Sequence, residues 1–116
     1  MPNIDVNIDN FIDHREVSLV GRDNGKACLK KISSSGINFQ KLEKTNDKII
    51  IIFPNRIVTM NRSFFLGLLA DRLVELGEEN FRNKYNFQAS DHLNHKIDGF
   101  IKTGILEATQ KQILNG

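Results

Sequence analysis

The stretch "IIIIFPNRIVTMNRSFFLGLLADRLVELG", residues 49–77, changes halfway from a continuous apolar run to apolar residues at helical spacing. The segment "KIIIIF" shows no alternation with polar residues, which predicts a central β-strand covered on both faces. Pro54 is expected to end this strand, because proline has no N–H to donate to a strand ladder. The order therefore predicts a buried strand, a turn and a helix.

The second half of this stretch predicts an amphipathic helix that ends at Gly77. Asn61 or Ser63 can cap its start through a side-chain oxygen, and Ile57 and Val58 before it are expected to point back into the domain. The residues expected to form its buried stripe are Phe65, Leu69, Leu73 and Leu76. Those expected to face solvent are Asp71, Arg72 and Glu75.

The rest of the chain alternates between strand and helix patterns. "NIDVNIDNFI" has the period of a peripheral strand with one buried face, and "EVSLVG" and "NFQA" predict two short extended pieces. A helix is expected from Arg22 to Ile32, whereas "INFQKLEKTNDK" fits a loop or a helix extension. This order predicts an α/β fold: a single domain with a mixed, mostly parallel sheet flanked by helices.

The C-terminal part predicts a helix that begins at Ser90 or Asp91 and ends at Gly104. We therefore place one domain at residues 1–104 and a C-terminal helix or docking tail at residues 105–116. The apolar residues through which such a tail would dock are Ile105, Leu106, Ile113 and Leu114.

Composition predicts a cytoplasmic protein that does not enter a membrane. A chain of 116 residues can bury one core, and its single cysteine, Cys28, cannot form an internal disulfide. The longest apolar runs fall well short of the ~20 residues that cross a bilayer, and the N-terminus is polar and acidic, unlike a signal peptide. A net charge of +2 does not by itself indicate a nucleic-acid partner.

No enzyme, cofactor or metal motif is complete. "VGRDNGKACL" has the outline of a phosphate-binding loop, but it lacks the required glycine spacing and the metal-binding hydroxyl residue. His92 and His95 give only two potential metal ligands, and exposed helix residues are the commoner explanation. His14 with Cys28 or Ser63 lacks the signatures that surround catalytic pairs. We therefore expect a non-enzymatic protein without a cofactor.

The same stretch resembles the STAS domain of bacterial anti-sigma factor antagonists and of sulfate-transporter tails. In that domain an apolar strand, a small loop and an Asp-Ser-Ser-Gly type turn precede a helix, and here "NRSF" occupies the turn. The segments "SLVGRDNGKACLKKI", "SFFLGL", "ELGEENF" and "NFQASDHLNHKIDGFI" resemble more closely a STAS-like family of unknown function. The resemblance spans roughly Ile4 to Ile105 and implies a STAS-like fold.

The resemblance implies an interaction module that can act as a switch. In the antagonists a kinase partner phosphorylates a serine of the turn, and Ser63 is the residue that matches. Asn61 stands where the antagonists have Asp and Phe64 where they have Gly, so Ser63 as a plain helix cap is favoured over Ser63 as a phosphosite.

We therefore expect the turn between strand and helix to bind another protein, with an ATPase or kinase-type regulator as the natural partner. The candidate partner-binding residues are Asn55, Arg56, Thr59, Asn61, Arg62 and Ser63. Two other hypotheses stay open: a phage or mobile-element inhibitor of a host complex, and a weak binder of nucleic acid or an anionic ligand. The basic residues available for the latter are Arg15, Arg22, Arg56 and Arg62. A homodimer is also possible.

Overall fold

The computed structural model describes the backbone of residues 2–115 and the side chains of residues 2–108. The strands are β1 (Asn3–Asn7), β2 (Ser18–Leu19), β3 (Lys48–Ile52), β4 (Thr59–Met60) and β5 (Tyr85–Gln88). The helices are α1 (Arg22–Ser34), α2 (Phe39–Thr45), α3 (Arg62–Leu76), α4 (Glu78–Lys84) and α5 (Asp91–Asn115), and a 3-10 turn spans Ile8–Phe11. The predicted α/β class is confirmed.

The strands form two parallel sheets. The larger has the order β1-β3-β5, so β3 is central and β1 lies at an edge, as predicted. The smaller consists of β2 and β4, which pair in parallel directly before α1 and α3. Because parallel neighbours need a crossover connection, helices separate all three strands of the larger sheet along the chain.

Within residues 2–108, side chains pack closely against only one face of the larger sheet. Ile49 and Ile51 of β3 are completely buried in the core, and burial of an aliphatic side chain contributes roughly 1.5–3 kcal/mol. Ile50 and Ile52 point to the opposite face, are only half-buried and lie outside the core cluster. The prediction that β3 is covered on both faces is therefore wrong for the described part of the chain: an unbroken apolar run also fits a strand with one open face.

Helices α1 and α3 cross with their backbones in contact. A Cβ atom on Gly25 would overlap the carbonyl oxygen of Phe64, and one on Gly67 would overlap that of Arg22. The same added atoms would lie 3.0 and 3.1 Å from the Cα atoms of the opposite glycine. Glycine is needed at both positions because no side chain fits into the crossing.

The sequence pattern predicts that the C-terminal helix ends at Gly104, but the helix continues past this residue. Helix α5 begins after Ser90, whose Oγ accepts a hydrogen bond from the N–H of Leu93 (3.2 Å), and it continues to Asn115. Gly104 is buried, and a Cβ there would lie 2.9 Å from side-chain carbons of Leu66 and Leu73. The glycine allows α5 to approach α3, which explains why it occurs inside a helix.

The division at residues 104 and 105 thus falls inside one helix. Ile105 packs partly against the core, whereas Leu106 is exposed. The side chains of Ile113 and Leu114, predicted as docking residues, lie outside the described residues.

Candidate functional site

The candidate turn runs from Asn55 to Ser63 and contains strand β4. It lies half inside the fold, because Ile57 and Met60 are buried in the core. Val58 is 63% exposed, so the prediction that it points inward with Ile57 is wrong. The outward side of the turn is therefore the only part available to a partner.

Arg56 holds the turn against the preceding loop. Its Nε donates to the carbonyl oxygen of Glu16 and its Nη2 to that of Asp13, both at 2.9 Å. Nη2 also lies 2.7 Å from Oδ1 of Asp9, and this guanidinium lowers the pKa of the Asp9 carboxyl. With these three partners, Arg56 fixes the backbone of the turn and is not a free partner-binding cation.

Asn61 caps helix α3 and also holds the start of α1. Its Oδ1 accepts a hydrogen bond from the N–H of Phe64 (3.0 Å) and another from the N–H of Gly21 (3.2 Å). The first bond is a regular N-cap interaction, which confirms Asn61 and not Ser63 as the capping residue. One oxygen therefore satisfies two backbone donors, and the second lies 40 residues away in sequence.

Arg62 and Ser63 are the first two residues of α3. Arg62 is exposed and makes no hydrogen bond or ion pair with any residue whose side chain the structure describes. Ser63 is half-buried, and its hydroxyl likewise has no hydrogen-bond partner in this part of the chain. Both side chains are thus available for an external partner.

The two-stranded ribbon beside Arg62 carries exposed apolar side chains. Thr59 pairs with Ser18 in the ribbon, and the N–H of Val58 donates to the carbonyl oxygen of Val17 (2.8 Å). Val20 follows β2 directly. We call the exposed residues Val17, Val20 and Val58 the valine patch.

The four arginines considered for anion binding do not form one free basic surface. Arg56 is held as described, and Arg15 pairs with Asp13, with 3.3 Å between Nε and Oδ1. Arg22 and Arg62 are the first residues of α1 and α3, which start side by side. Of the four arginines, only these two have no ion-pair partner among residues 2–108.

Sequence reasoning missed a cluster of charged residues around Arg72, which is buried and not, as predicted, on the solvent side of α3. Its Nε and Nη2 donate to the two carboxylate oxygens of Glu43 (2.8 and 2.6 Å), and its Nη1 donates to Glu75 (2.5 Å). The hydroxyl of Tyr85 also donates to Glu43 (2.5 Å). The helical spacing contained the signal, because Arg72 is seven residues after Phe65 on the apolar stripe.

The pKa values in this cluster follow from burial and charge pairing. Burial raises the pKa of Glu43, but the hydrogen bonds from Arg72 and Tyr85 outweigh it, so the net pKa is lowered. Burial and then the neighbouring Glu43 raise the pKa of Tyr85. Glu43 therefore stays ionised and Tyr85 neutral at physiological pH, and the cluster joins α2, α3 and β5.

Other candidate chemistry is not assembled in the described part of the chain. Burial raises the pKa of the Cys28 thiol to about 11, so this cysteine stays protonated at neutral pH. No three metal-ligating side chains come together within residues 2–108, and His92 and His95 are exposed. Of the helices in the described range, none has the length and apolarity needed to span a bilayer.

A surface cavity of about 460 Å³ lies away from the candidate turn, between the end of α1, the start of α2 and the middle of α3. Its lining mixes apolar and polar side chains, including Leu29, Phe39, Lys41 and Asp71. Comparisons with protein-family models, with curated proteins and with solved structures found no match to this chain.

Proposed function

We propose that this protein is a non-enzymatic interaction module that docks another protein through the valine patch together with Arg62 and Ser63. The observation that carries this proposal is that three exposed valines, Val17, Val20 and Val58, lie directly beside the paired strands β2 and β4. Of the five large apolar side chains that are most exposed within residues 2–108, three form the valine patch, and the other two, Val74 and Leu106, lie on helices. Apolar residues grouped within a polar surface are typical of protein interfaces.

The rigidity of the turn supports the proposal. Arg56 and Asn61 hold the backbone on both sides of Val58 through bonds to residues about 40 positions away in sequence. A surface that is already ordered loses less conformational entropy on binding than a mobile loop. The two residues predicted as partner contacts therefore act as positioning residues for the patch.

The charge at the start of α3 defines the partner's chemistry. Arg62 has no ion-pair partner within the described side chains, so the surface that fits here is apolar with an acidic rim. Together with the STAS-like resemblance, this favours an ATPase or kinase-type regulator as the partner. The module is cytoplasmic in this proposal.

Ser63 gives the proposed interaction a switch. It is the second residue of a 15-residue helix, where backbone N–H groups and the helix dipole stabilise a phosphate. The added negative charge would face the acidic rim of the partner. Phosphorylation of Ser63 therefore releases the partner while leaving the fold intact.

Affinity capture with the tagged chain from its native host, followed by titration calorimetry with the retained protein, tests the proposal. Val58→Asp is expected to weaken binding at least about tenfold, because it places a charge in the apolar contact. Val74→Asp is the matched control: Val74 is also exposed, but it lies outside the patch, and binding should not change. Ser63→Glu should weaken binding, whereas Ser63→Ala should not.

Two results would contradict this function. One is that no ATPase or kinase-type protein is retained, and the other is that Val58→Asp and wild type bind the retained protein equally. Salt-dependent retention on heparin would instead favour an anionic ligand. We expect none, because Arg22 and Arg62 are the only two of the four arginines without an ion-pair partner among residues 2–108, which is too few for a basic surface.

A further inference from the structure

One face of the β1-β3-β5 sheet is not covered by any of residues 2–108, which is unusual for a parallel sheet. Its residues belong to the row of side chains that alternates with the buried one on each strand. They are Asn3, Asp5, Asn7, Lys48, Ile50, Ile52, Asn86 and Gln88. Sheets in which every pairing is parallel occur almost only with both faces covered. We propose that a second copy of this chain covers this face, with the two sheets stacked about a two-fold axis that lies between them and runs parallel to β3.

The register of the strands makes this face complementary to itself. One row across the sheet reads Asp5, Ile50, Asn86, and the next reads Asn7, Ile52, Gln88. A two-fold axis parallel to β3 places β1 of one copy over β5 of the other. Each isoleucine then faces its own copy, so the apolar centre becomes buried.

The polar flanks of the two rows also match. The Asp5 carboxylate of one copy faces the Asn86 amide of the other, and an amide donates well to a carboxylate. Asn7 faces Gln88, and two amides can exchange hydrogen bonds. Lys48 lies next to the axis, but its Nζ donates to the carbonyl oxygen of Asn83 on the β5 side. The two ammonium groups therefore lean toward opposite edges.

The size of the face indicates a weak and reversible dimer. Three strands of about five residues cover roughly 14 by 17 Å. This is well below the ~800 Å² that each partner contributes to a standard interface. We therefore expect dissociation in the high micromolar range. This inference uses a surface different from the valine patch and does not depend on the proposed function.

Sedimentation velocity on the full chain, from about 10 µM to about 1 mM, tests the proposal. Wild type should shift from monomer to dimer over this range. Ile52→Lys should remain monomeric, because each copy would place a charge on the apolar centre. Val74→Lys, at an exposed valine on α3, should dimerise like wild type. A monomeric wild type at the highest concentration would overturn the proposal.

A charge exchange tests the orientation of the two sheets. Asn86→Asp alone should weaken the dimer several-fold, because the new carboxylate would face Asp5 of the other copy. Adding Asp5→Asn to the same chain should restore it, because a carboxylate again faces an amide. Failure of the double variant to recover would overturn the proposed stacking of β1 over β5.

Discussion

The segment from Arg56 to Leu76 has an inner side that packs within the fold and an outer side that is exposed to solvent. On the inner side, Gly67 contacts the backbone of α1 and Arg72 is enclosed by carboxylates. On the outer side, Val58 and Arg62 are exposed, and Arg62 has no partner among the described side chains. Substitutions on the inner side should therefore reduce the stability of the fold. Substitutions on the outer side should instead affect binding.

The largest loss of stability is expected for Arg72→Met. Its side chain is 10% exposed and that of Glu43 is 9% exposed, so the variant leaves a buried carboxylate without its cation. Removing one partner of a buried ion pair costs about 3–5 kcal/mol. Chemical denaturation measures this change in the free energy of unfolding.

Glu75→Gln is the control for this variant. Glu75 is 59% exposed, and exposed ion pairs contribute only about 0–1 kcal/mol. Equal losses in the two variants would show that the inner side is not fixed by the buried pair.

The next largest effect is expected at the helix crossing. Gly67→Ala should cost about 1–3 kcal/mol, because the new methyl group overlaps a backbone oxygen of α1 and forces the helices apart. Gly99→Ala is the matched control in α5, where an added Cβ meets nothing within 4 Å. There alanine should stabilise the helix by up to about 1 kcal/mol. Thermal unfolding of both variants should therefore give shifts of opposite sign.

Asn61→Ala tests how much the two hydrogen bonds accepted by the Asn61 side chain contribute to stability. Loss of an N-cap costs about 0.5–2 kcal/mol, and we expect the upper half of this range because Asn61 also holds the N–H of Gly21. Asn38→Ala removes a cap that accepts only the N–H of Lys41. If both variants lose equal stability, the second bond of Asn61 contributes nothing.

Acidification should reduce the difference between wild type and Arg72→Met. The pKa of Glu43 is lowered in the folded state, so its pair with Arg72 contributes fully above the ordinary glutamate value of 4.5. This contribution is lost as the pH falls through the folded pKa. Unfolding curves for both proteins between neutral pH and about pH 3 should therefore converge at the acidic end.

The smallest change in stability is expected for Val58→Asp. A substitution at a residue that is 63% exposed usually alters the free energy of unfolding by less than about 0.5 kcal/mol. The same variant is expected to lose partner binding. A loss of stability comparable to that of Gly67→Ala would mean that Val58 belongs to the inner side.

The sequence was sufficient for the α/β class and for the central position of β3, but it did not predict strand β4 or the second sheet that β4 forms with β2. The helix from residue 62 to 76 follows directly from its apolar period, and its stop at Gly77 is confirmed. The cap was predicted only as Asn61 or Ser63, because both side chains can accept a hydrogen bond. The choice depends on one more donor, the N–H of Gly21, which the linear sequence does not place nearby.

The errors arise where a residue has a tertiary partner that the pattern cannot show. The charge of Arg72 predicts a position in solvent, although Glu43 from a different helix makes its burial possible. The pattern predicts a helix end at Gly104, although this glycine instead allows close packing on Leu66 and Leu73. For the candidate site, the sequence indicated the right turn but not that Arg56 is engaged within it.

The parallel pairing of the strands has a consequence for how the chain folds. No two described strands form a hairpin, and Asn3 must find Lys48, as Ile49 must find Tyr85, before the sheet exists. Each pairing closes a loop of several tens of residues before stabilising contacts form. The lost chain entropy raises the free-energy barrier to folding. We therefore expect refolding slower than that of helical bundles, at a rate between theirs and that of all-β proteins.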